Sequence, residues 1–310
     1  MKILVTGSSG FVGSNVIPSL KNEFEYSIVE VNRNEKKNVG EAITYDCLFT
    51  SEEKCYLVYL HLAGKAHDMK NNSNESEYFK VNYKLTKRLY DRFLRDERAQ
   101  TFIFISSVKV VADDVQGELK EDHKPNPATA YGRSKLKAEE YILDNLSQDK
   151  TVVILRPCMI HGPGNKGNLN LLHSAVSMGI PWPLGAYDNS RSFLSIDNLY
   201  FVIKEILTGK VPSGVYNVSD DGAFSTTELV SIIAEINNKR LSIWNIPQPL
   251  IKMIAKFGNI FRLPLNEERL EKLTENYLVS NEKLKQTLGI EKMPVSAREG
   301  MVKTIESFKR

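Results

Sequence analysis

Cysteine is scarce in this chain. Cys47, Cys55 and Cys158 are the only three in 310 residues, an odd number with no CxxC spacing. That excludes a disulfide-built scaffold and a thiolate zinc site, and it points to a reducing compartment. The five histidines form no HExxH or similar pair. His61 and His67 flank the end of an apolar strand and read as structural or cleft-lining groups, so no metal centre is expected. Long apolar runs are also missing, and none approaches the roughly 20 residues that a membrane span needs. The first strand begins at residue 2 and leaves no room for a signal peptide, so a cytoplasmic location is expected. Nor is there an excess of one charge. Lys and Arg total 41 against 38 Asp and Glu, a net charge of +3, and neither nucleic acid nor a membrane is implied as a partner. The cluster Lys84, Lys87, Arg88, Arg92, Arg95 and Arg98 is interleaved with acids and reads as a solvated helix face. Repeats and low-complexity linkers are absent.

A glycine-spaced turn opens the chain. Lys2-Ile3-Leu4-Val5-Thr6 is a short apolar run of the buried-strand kind, followed by Gly7-Ser8-Ser9-Gly10-Phe11-Val12-Gly13. From Phe11 to about Lys21 the period becomes helical, with Val12, Val16, Ile17 and Leu20 on one side. A glycine in such a turn lets backbone N–H groups approach a pyrophosphate, and the helix N-terminus behind it adds partial positive charge. A third glycine, Gly13, lets helix and strand pack closely. Strand, spaced glycines and helix in this order predict a dinucleotide site.

The first half continues as repeated strand–helix units. Strands are expected at 2–6, 26–31, 57–62, 101–106 and 151–155, with helices at about 11–22, 75–98 and 129–147. This alternation predicts an α/β protein with a parallel sheet covered on both faces. After Arg156-Pro157 the elements become shorter and mixed, with Pro and Gly clustered at 161–164 and 180–185. The expected division is 1–160 for a dinucleotide-binding domain, to which some later segments return, and 161–310 for a smaller α+β domain. Asp197 is a candidate N-cap for a helix after Ile196, and Ser225-Thr226-Thr227-Glu228 resembles a capping box. The stretch Leu250 to Phe261 is amphipathic, a pattern shared by lids and membrane-surface helices, and is expected to pack simply on the body of the protein.

Moving hydride to or from a carbinol requires a group that takes the hydroxyl proton. A Tyr serves if its pKa of about 10 is lowered. A Lys ammonium about 4 Å away contributes about 4 kcal/mol at an effective dielectric near 20, close to three pKa units before desolvation is subtracted. Tyr-x-x-x-Lys puts the two groups on one helix face. The spacing occurs at Tyr83–Lys87, Tyr131–Lys135 and Tyr200–Lys204. Only Tyr131 follows a Pro-Asn-Pro loop at the start of a helix, shortly after a strand that ends in Ser106-Ser107. Ligands bind at strand C-termini in open α/β sheets. The other two pairs read as surface or packing pairs.

These residues carry a family likeness. Thr6-Gly7-x-x-Gly10-Phe11-x-Gly13, His61-Leu62-Ala63-Gly64, Val81-Asn82, Ser106-Ser107, Tyr131-Gly132-x-Ser134-Lys135, Leu155-Arg156-Pro157, Gly162-Pro163-Gly164 and Arg191-Ser192-Phe193 follow one another along nearly the whole chain. In this the protein resembles an extended short-chain dehydrogenase/reductase of the nucleotide-sugar epimerase/dehydratase family. The resemblance implies a Rossmann-type doubly wound sheet with a smaller C-terminal domain that grips a nucleotide diphosphate sugar, UDP-linked at the family level. It also implies a homodimer formed through the 75–98 and 129–147 helices.

By the same resemblance Tyr131 is the acid/base, Lys135 lowers its pKa and holds the nicotinamide ribose, and Ser107 hydrogen-bonds the reacting sugar oxygen. Gly7, Gly10, Phe11, Val12, Gly13, Leu62, Ala63, Gly64, Asn82 and Pro157 fall at cofactor-contacting positions. Asn168, Leu184, Gly185 and Arg191 fall at substrate-contacting ones. Arg suits a diphosphate because its planar fork binds phosphate bidentately.

Departures from the family pattern narrow the reaction. Sugar 4,6-dehydratases carry Asp-Glu just after the active-site hydroxyl residue, and here Val108-Lys109 stands there. GDP-fucose synthases place a Cys at the Val108 position. Plain hydride transfer at C4 remains, as a 4-epimerase that keeps its NAD or as a 4-ketoreductase that consumes NADPH or NADH. An inactive cofactor-binding sensor would usually lack the Tyr or Lys, and both are intact. Glu30 falls about 20 residues after the glycine loop, where an acid binds the ribose hydroxyls of NAD, and Arg33 is close enough to meet the phosphate of NADP. Asp46 follows the next apolar stretch, where the family contacts adenine. NAD is expected, with NADP as the alternative.

Overall fold

The computed structural model describes residues 2–23, 26–33, 41–51, 56–65, 74–165, 167–261 and 265–309; His67 and Cys55 lie outside them, as does the side chain of Asn168. Strand β1 (Lys2–Thr6) leads through the glycine turn into helix α1 (Phe11–Glu23), then β2 (Ser27–Asn32), β3 (Ala42–Thr44), α2 (Tyr45–Thr50) and β4 (Val58–His61). The next elements are α3 (Glu75–Tyr78), a π-helical turn over Phe79–Lys84, α4 (Leu85–Arg95), β5 (Thr101–Ile105), a 3-10 turn over Val108–Val110, β6 (Glu118–Leu119), α5 (Ala130–Asp144) and β7 (Thr151–Pro157). The second half adds β8 (Met159–His161), α6 (Asn168–Ser177), β9 (Arg191–Ser195), α7 (Ile196–Leu207), β10 (Gly214–Val218), β11 (Ala223–Phe224), α8 (Thr226–Ile236), α9 (Gln248–Phe261), α10 (Glu267–Thr274), β12 (Leu278–Val279), α11 (Glu282–Leu288) and α12 (Ala297–Ser307). Among the described residues no helix is long and apolar enough to cross a membrane.

The main sheet has seven strands in the order β10-β7-β5-β4-β1-β2-β3, every pair parallel. Strand order reverses between β1 and β4, the switch point at which a doubly wound sheet opens a crevice. The strands read as continuous apolar runs because helices bury both of their faces. Ile3, Val5, Leu60 and Ile103 pack on one face with Val16 and Leu20 of α1 and with Leu199 and Val202 of α7. Leu4, Tyr59, Phe102 and Phe104 pack on the other with Leu89 and Phe93 of α4 and with Ala138 and Ile142 of α5. The expected strands lie within two residues of those found. Strand β10 and helix α7 return from the second half of the chain to this sheet and its cover.

A smaller lobe has its own core, in which Leu169, Trp182, Phe193, Leu229, Ile233, Ile251 and Met301 meet. The expected capping box at Ser225 and Glu228 is present. Asp197 is not the cap of α7. Ser195 takes that role, its hydroxyl accepting from the Asn198 N–H, while Asp197 sits in the first turn and pairs with Lys303. A hydroxyl one residue outside the helix reaches the free N–H groups, whereas a carboxylate already inside it contributes through the helix dipole.

The expected single helix at 75–98 is three segments. Within the π turn the Leu85 N–H bonds to the Lys80 carbonyl, five residues back, and the inserted residue rotates α4 relative to α3. The helix stops at Arg95, where the Lys150 ammonium donates to the carbonyls of Phe93, Leu94 and Asp96 at 2.9, 3.2 and 2.7 Å. A cation on the last carbonyls is a favourable end for a helix.

Candidate active site

The glycine turn is built as the phosphate chemistry requires. Gly7 has φ +75°, and a Cβ there would come within 2.5 Å of the Ala63 nitrogen. A Cβ on Gly13 would lie 2.5 Å from the Gly7 carbonyl oxygen and 2.6 Å from that of Ser8. Any side chain at these two positions would push the turn off β4 or α1 off the turn. The close approach is held from below by a buried relay. The Ala63 N–H donates to Thr6 Oγ1 at 3.3 Å, and Thr6 Oγ1 lies 2.6 Å from His61 Nδ1. His61 Nε2 lies 2.8 Å from Thr86 Oγ1, whose hydroxyl donates to the Asn82 carbonyl at 2.7 Å. Because Thr86 donates onward, His61 carries its proton on Nε2 and accepts at Nδ1. Burial, assisted by Lys135, holds the imidazole well below its usual pKa and keeps it neutral. His61 is therefore structural, as expected.

A cleft of about 530 Å³ opens over the switch point, lined by Gly7, Ser9 and Gly10, by Val31, Asn32, Arg33 and Tyr45, by Leu62, Ala63 and Gly64, and by Lys80, Val81, Lys84, Leu85 and Arg88. The narrow glycine cradle, the start of α1 and the four cations together suit a dinucleotide. Bound there, NAD would take hydride from a carbinol carbon or return it. Phe11 and Val12 open α1 directly behind the cradle, and Pro157 ends β7, buried.

Several sequence expectations change at this cleft. Glu30 does not line it; it turns toward α1 and pairs with Lys21 at 2.9 Å. Asn32 shares the strand face of Glu30 but stands at the C-terminal end of β2, and it and Arg33, just past that end, line the cleft. Asp46 is exposed in the first turn of α2, and its neighbour Tyr45 lines the cleft instead. Lys84 and Arg88, read as part of a solvated helix face, line it as well, together with Lys80. The π turn brings this part of the helix to the cleft, and nothing in the hydrophobic period signals such a turn.

Asn82, fully buried in the π turn, joins the segment after β4 to α5. It accepts from the Lys65 N–H at 2.7 Å and donates to the Lys65 carbonyl at 3.1 Å and to Ser134 Oγ at 3.0 Å. Ser134 in turn donates to the Tyr131 carbonyl at 2.8 Å. Helix α5 begins where Thr129 Oγ1 accepts from the Gly132 N–H at 3.1 Å, which puts Tyr131 in the first turn and Lys135 one turn on.

Lys135 is buried; its ammonium donates to the Ile105 carbonyl at 2.8 Å and lies 4.6 Å from the centre of the Phe104 ring. Burial pulls its pKa down to about 7, against the opposing pull of Glu139. A Cβ on Gly64 would stand 3.0 Å from Lys135 Nζ, so the lysine reaches the floor of the cofactor cleft. Burial raises the Tyr131 phenol, and a hydrogen bond with Ser107 pulls it back. Burial outweighs the hydrogen bond, so the phenol stays above its ordinary value. Ser107 caps the 3-10 turn, its Oγ accepting from the Lys109 N–H at 3.2 Å, whereas Ser106 Oγ is buried with no hydrogen-bond partner.

The lysine has a consequence for stability. Its folded pKa lies below its unfolded value, so the cost of charging it in the core is fully present below about pH 7 and fades as the pH rises toward 10.5. Lys135→Met is therefore expected to gain more stability over the wild type at pH 6 than at pH 9, as read by urea midpoints.

Tyr131 also faces a second cleft, of about 740 Å³, between the sheet and the smaller lobe. It is lined by Lys109, Asp113, Thr129, Met159, Ile160, Asn165, Leu169, Arg191, Lys272 and Glu275, among others. Arg191 donates to the Lys272 carbonyl at 2.6 Å and pairs with Glu275 at 2.9 Å. Lys109 donates to the Asp113 carbonyl at 2.9 Å with its ammonium 4.2 Å from the centre of the Tyr277 ring, and burial lowers its pKa. Leu184 is buried in the lobe core, and Gly185 is wedged against Ile243 and Asn245; neither lines the described clefts. Asn168 begins α6 beside the cleft residues Gly167 and Leu169.

The two other Tyr-x-x-x-Lys pairs are structural. Tyr200 and Lys204 both bind Glu23 and tie α7 to α1. Tyr83 packs edge-on against Tyr141, over whose ring Lys87 sits.

A glycine cradle at the switch point of a parallel sheet and a Tyr–Lys pair beside it are matched by a family model. Residues 3–219 fit the NAD dependent epimerase/dehydratase family. The chain belongs to that family. It is 34% identical over 99% of its length to a UDP-glucose 4-epimerase of Vibrio cholerae, covering 95% of that protein. It is 26% identical over 80% of its length to an N-acetyl-alpha-D-glucosaminyl-diphospho-ditrans,octacis-undecaprenol 4-epimerase of Escherichia coli O157:H7, covering 76% of that protein. Among solved structures, a UDP-glucuronic acid 4-epimerase from Bacillus cereus in complex with NAD superposes with a TM-score of 0.76 over 100% of this chain and 99% of that one, at 21% identity. Members of this family are NAD-dependent enzymes, and the protein is an enzyme with the Rossmann-type fold that its sequence predicts.

Proposed function

We propose that the protein is a 4-epimerase of a UDP-hexose or UDP-N-acetylhexosamine. The observation that carries this reading is Tyr131, beside Ser107, lining the wide cleft while Lys135, one turn on in α5, brings its ammonium beside Gly64 of the glycine-lined cleft, in a chain alike over its whole length to a UDP-glucose 4-epimerase. Bound NAD would supply a hydride acceptor for C4 of the sugar and return the hydride to the opposite face, so that nothing is oxidised overall. Tyr131 would take the C4 hydroxyl proton and give it back, and the wide cleft leaves room for the sugar to turn over. Ser107 holds the reacting oxygen, and Lys135, when charged, favours the phenolate form of Tyr131. Arg191 exchanges Glu275 for the substrate diphosphate, a better partner for its fork. Val108 and Lys109 supply no acid/base pair for elimination of water.

Denaturing the purified protein and identifying the released cofactor tests this. Retained NAD, with interconversion of UDP-glucose and UDP-galactose or of their N-acetylated analogues, is the expected result. Arrival without cofactor, and NADPH-dependent turnover of a UDP-4-keto-6-deoxy sugar, would instead make the protein a 4-ketoreductase.

Among the described residues the cofactor cleft is lined by Arg33, Lys80, Lys84 and Arg88 and by no carboxylate, so NADP should be accepted beside NAD. Arg33→Ala is expected to weaken NADP about tenfold or more and to leave NAD nearly unchanged, by titration calorimetry. We also place a homodimer interface on α4 and α5, where Leu143 and Leu146 are exposed at the end of α5.

A further inference from the structure

Helix α9 has two apolar faces, and the fold uses one. Ile251, Ala255 and Gly258 turn inward, which half meets the expectation of simple packing. Leu250, Met253, Ile254 and Phe257, spaced i, i+3, i+4 and i+7, form a second stripe that is 44, 49, 38 and 51% exposed. Trp244 just upstream is 53% exposed. Of the eleven large hydrophobic side chains exposed among the described residues, six fall between Ile243 and Phe257, so the exposure is a patch and not scatter.

The charge around this patch is segregated as well. No acidic residue occurs between Glu235 and Glu267, a stretch that holds Lys239, Arg240, Lys252, Lys256 and Arg262. The near-neutral total of the chain conceals this run. On a helical wheel Lys252 and Lys256 fall between the buried face and the exposed stripe, beside the latter. Carboxylates of α10 stand beside these lysines. Glu267 and Glu271 lie across a groove lined by Lys252 and Lys256, and that groove shares Glu271 and Thr274 with the substrate cleft.

We propose that this face seats the enzyme on an anionic lipid surface, with α9 lying in the headgroup plane and the mouth of the substrate cleft beside it. An apolar stripe with Trp and Phe, flanked by lysines whose stems lie along it, has the chemistry of such a helix. Anionic headgroups match the acid-free run. A second copy of the chain fits less well, because a two-fold contact through this patch would bring its cations against their own symmetry mates. Insertion across the bilayer is not involved, since α9 has 14 residues.

Flotation of the full-length protein with vesicles tests the proposal, using phosphatidylcholine alone and a 7:3 mixture of phosphatidylcholine and phosphatidylglycerol. Wild type is expected to float with the mixed vesicles, to float poorly with the neutral ones, and to be released by salt. The double variants Met253→Ser/Phe257→Ser and Lys252→Glu/Lys256→Glu should each bind the mixed vesicles about tenfold more weakly or worse. Their turnover of a soluble sugar nucleotide should be unchanged, which shows that they fold and separates a failure here from a failure of the epimerase reading. Equal binding by wild type and variants, or no flotation of wild type, overturns the proposal. So does a concentration-dependent wild-type oligomer that Met253→Ser/Phe257→Ser abolishes, which would assign the patch to a second copy.

Discussion

Tyr131→Phe is expected to lower kcat by about 10²- to 10⁴-fold and to leave cofactor binding unchanged. Only the hydroxyl is removed. The ring keeps its place in the first turn of α5, and the backbone carbonyl that Ser134 bonds is untouched. The cofactor cleft is lined by other residues. Turnover with a soluble sugar nucleotide, alongside calorimetric titration with NAD, checks both halves. A variant retaining full activity would remove Tyr131 from the reaction and with it the acid/base assignment. Ser107→Ala is the informative companion. Ser107 is the group that pulls the phenol down against burial, so its loss should displace the rising limb of the kcat–pH profile to higher pH.

The second large effect belongs to a residue that touches no ligand. Glu139→Gln is expected to cost about 3–5 kcal/mol of stability, because it leaves a buried guanidinium without a counter-charge. Arg156 donates to Glu139 through Nε at 3.2 and 3.1 Å and through Nη2 at 2.6 Å, and both residues are buried. Glu139 also opposes the fall of the Lys135 pKa, so the same variant should lower that pKa further. Replacing both partners by apolar residues, Glu139→Met with Arg156→Met, should recover most of the loss, since the desolvation penalty of the pair disappears with its attraction. Urea unfolding of the two single variants and the double variant decides the matter. Single and double variants equally damaged would mean that packing, and not charge, sets the cost.

How legible was this protein in its sequence? The parallel sheet, the glycine turn and the place of Tyr131, at a helix start after a strand end, were all readable, because each rests on local order. An apolar run, a turn residue and a helix start follow one another along the chain, and short-range sterics and capping impose their shape. The capping box at Ser225 and the structural role of His61 were readable for the same reason. Arg191 lines the wide cleft beside Tyr131, although its partner Glu275 lies 84 residues away and had no local signal.

The remainder depended on how distant segments meet. Glu30 and Arg33 differ by three positions, yet which of them lines the NAD-sized cleft was set by where β2 ends and by Lys21 on α1. The four cations of that cleft come from just past β2, from the π turn and from α4, and a π turn leaves no mark on a period of 3.6 residues. The buried Glu139–Arg156 pair joins α5 to β7. Helix α9 is amphipathic in sequence whichever way it faces, and only packing against the C-terminal core separates the stripe it buries from the stripe it presents. Sequence by itself determined the elements and the one-turn spacing of Tyr131 and Lys135 on α5, since backbone geometry and side-chain period act over a few residues. Tertiary structure alone decided which charges share a cleft, since burial and pairing depend on distances that the chain order does not contain.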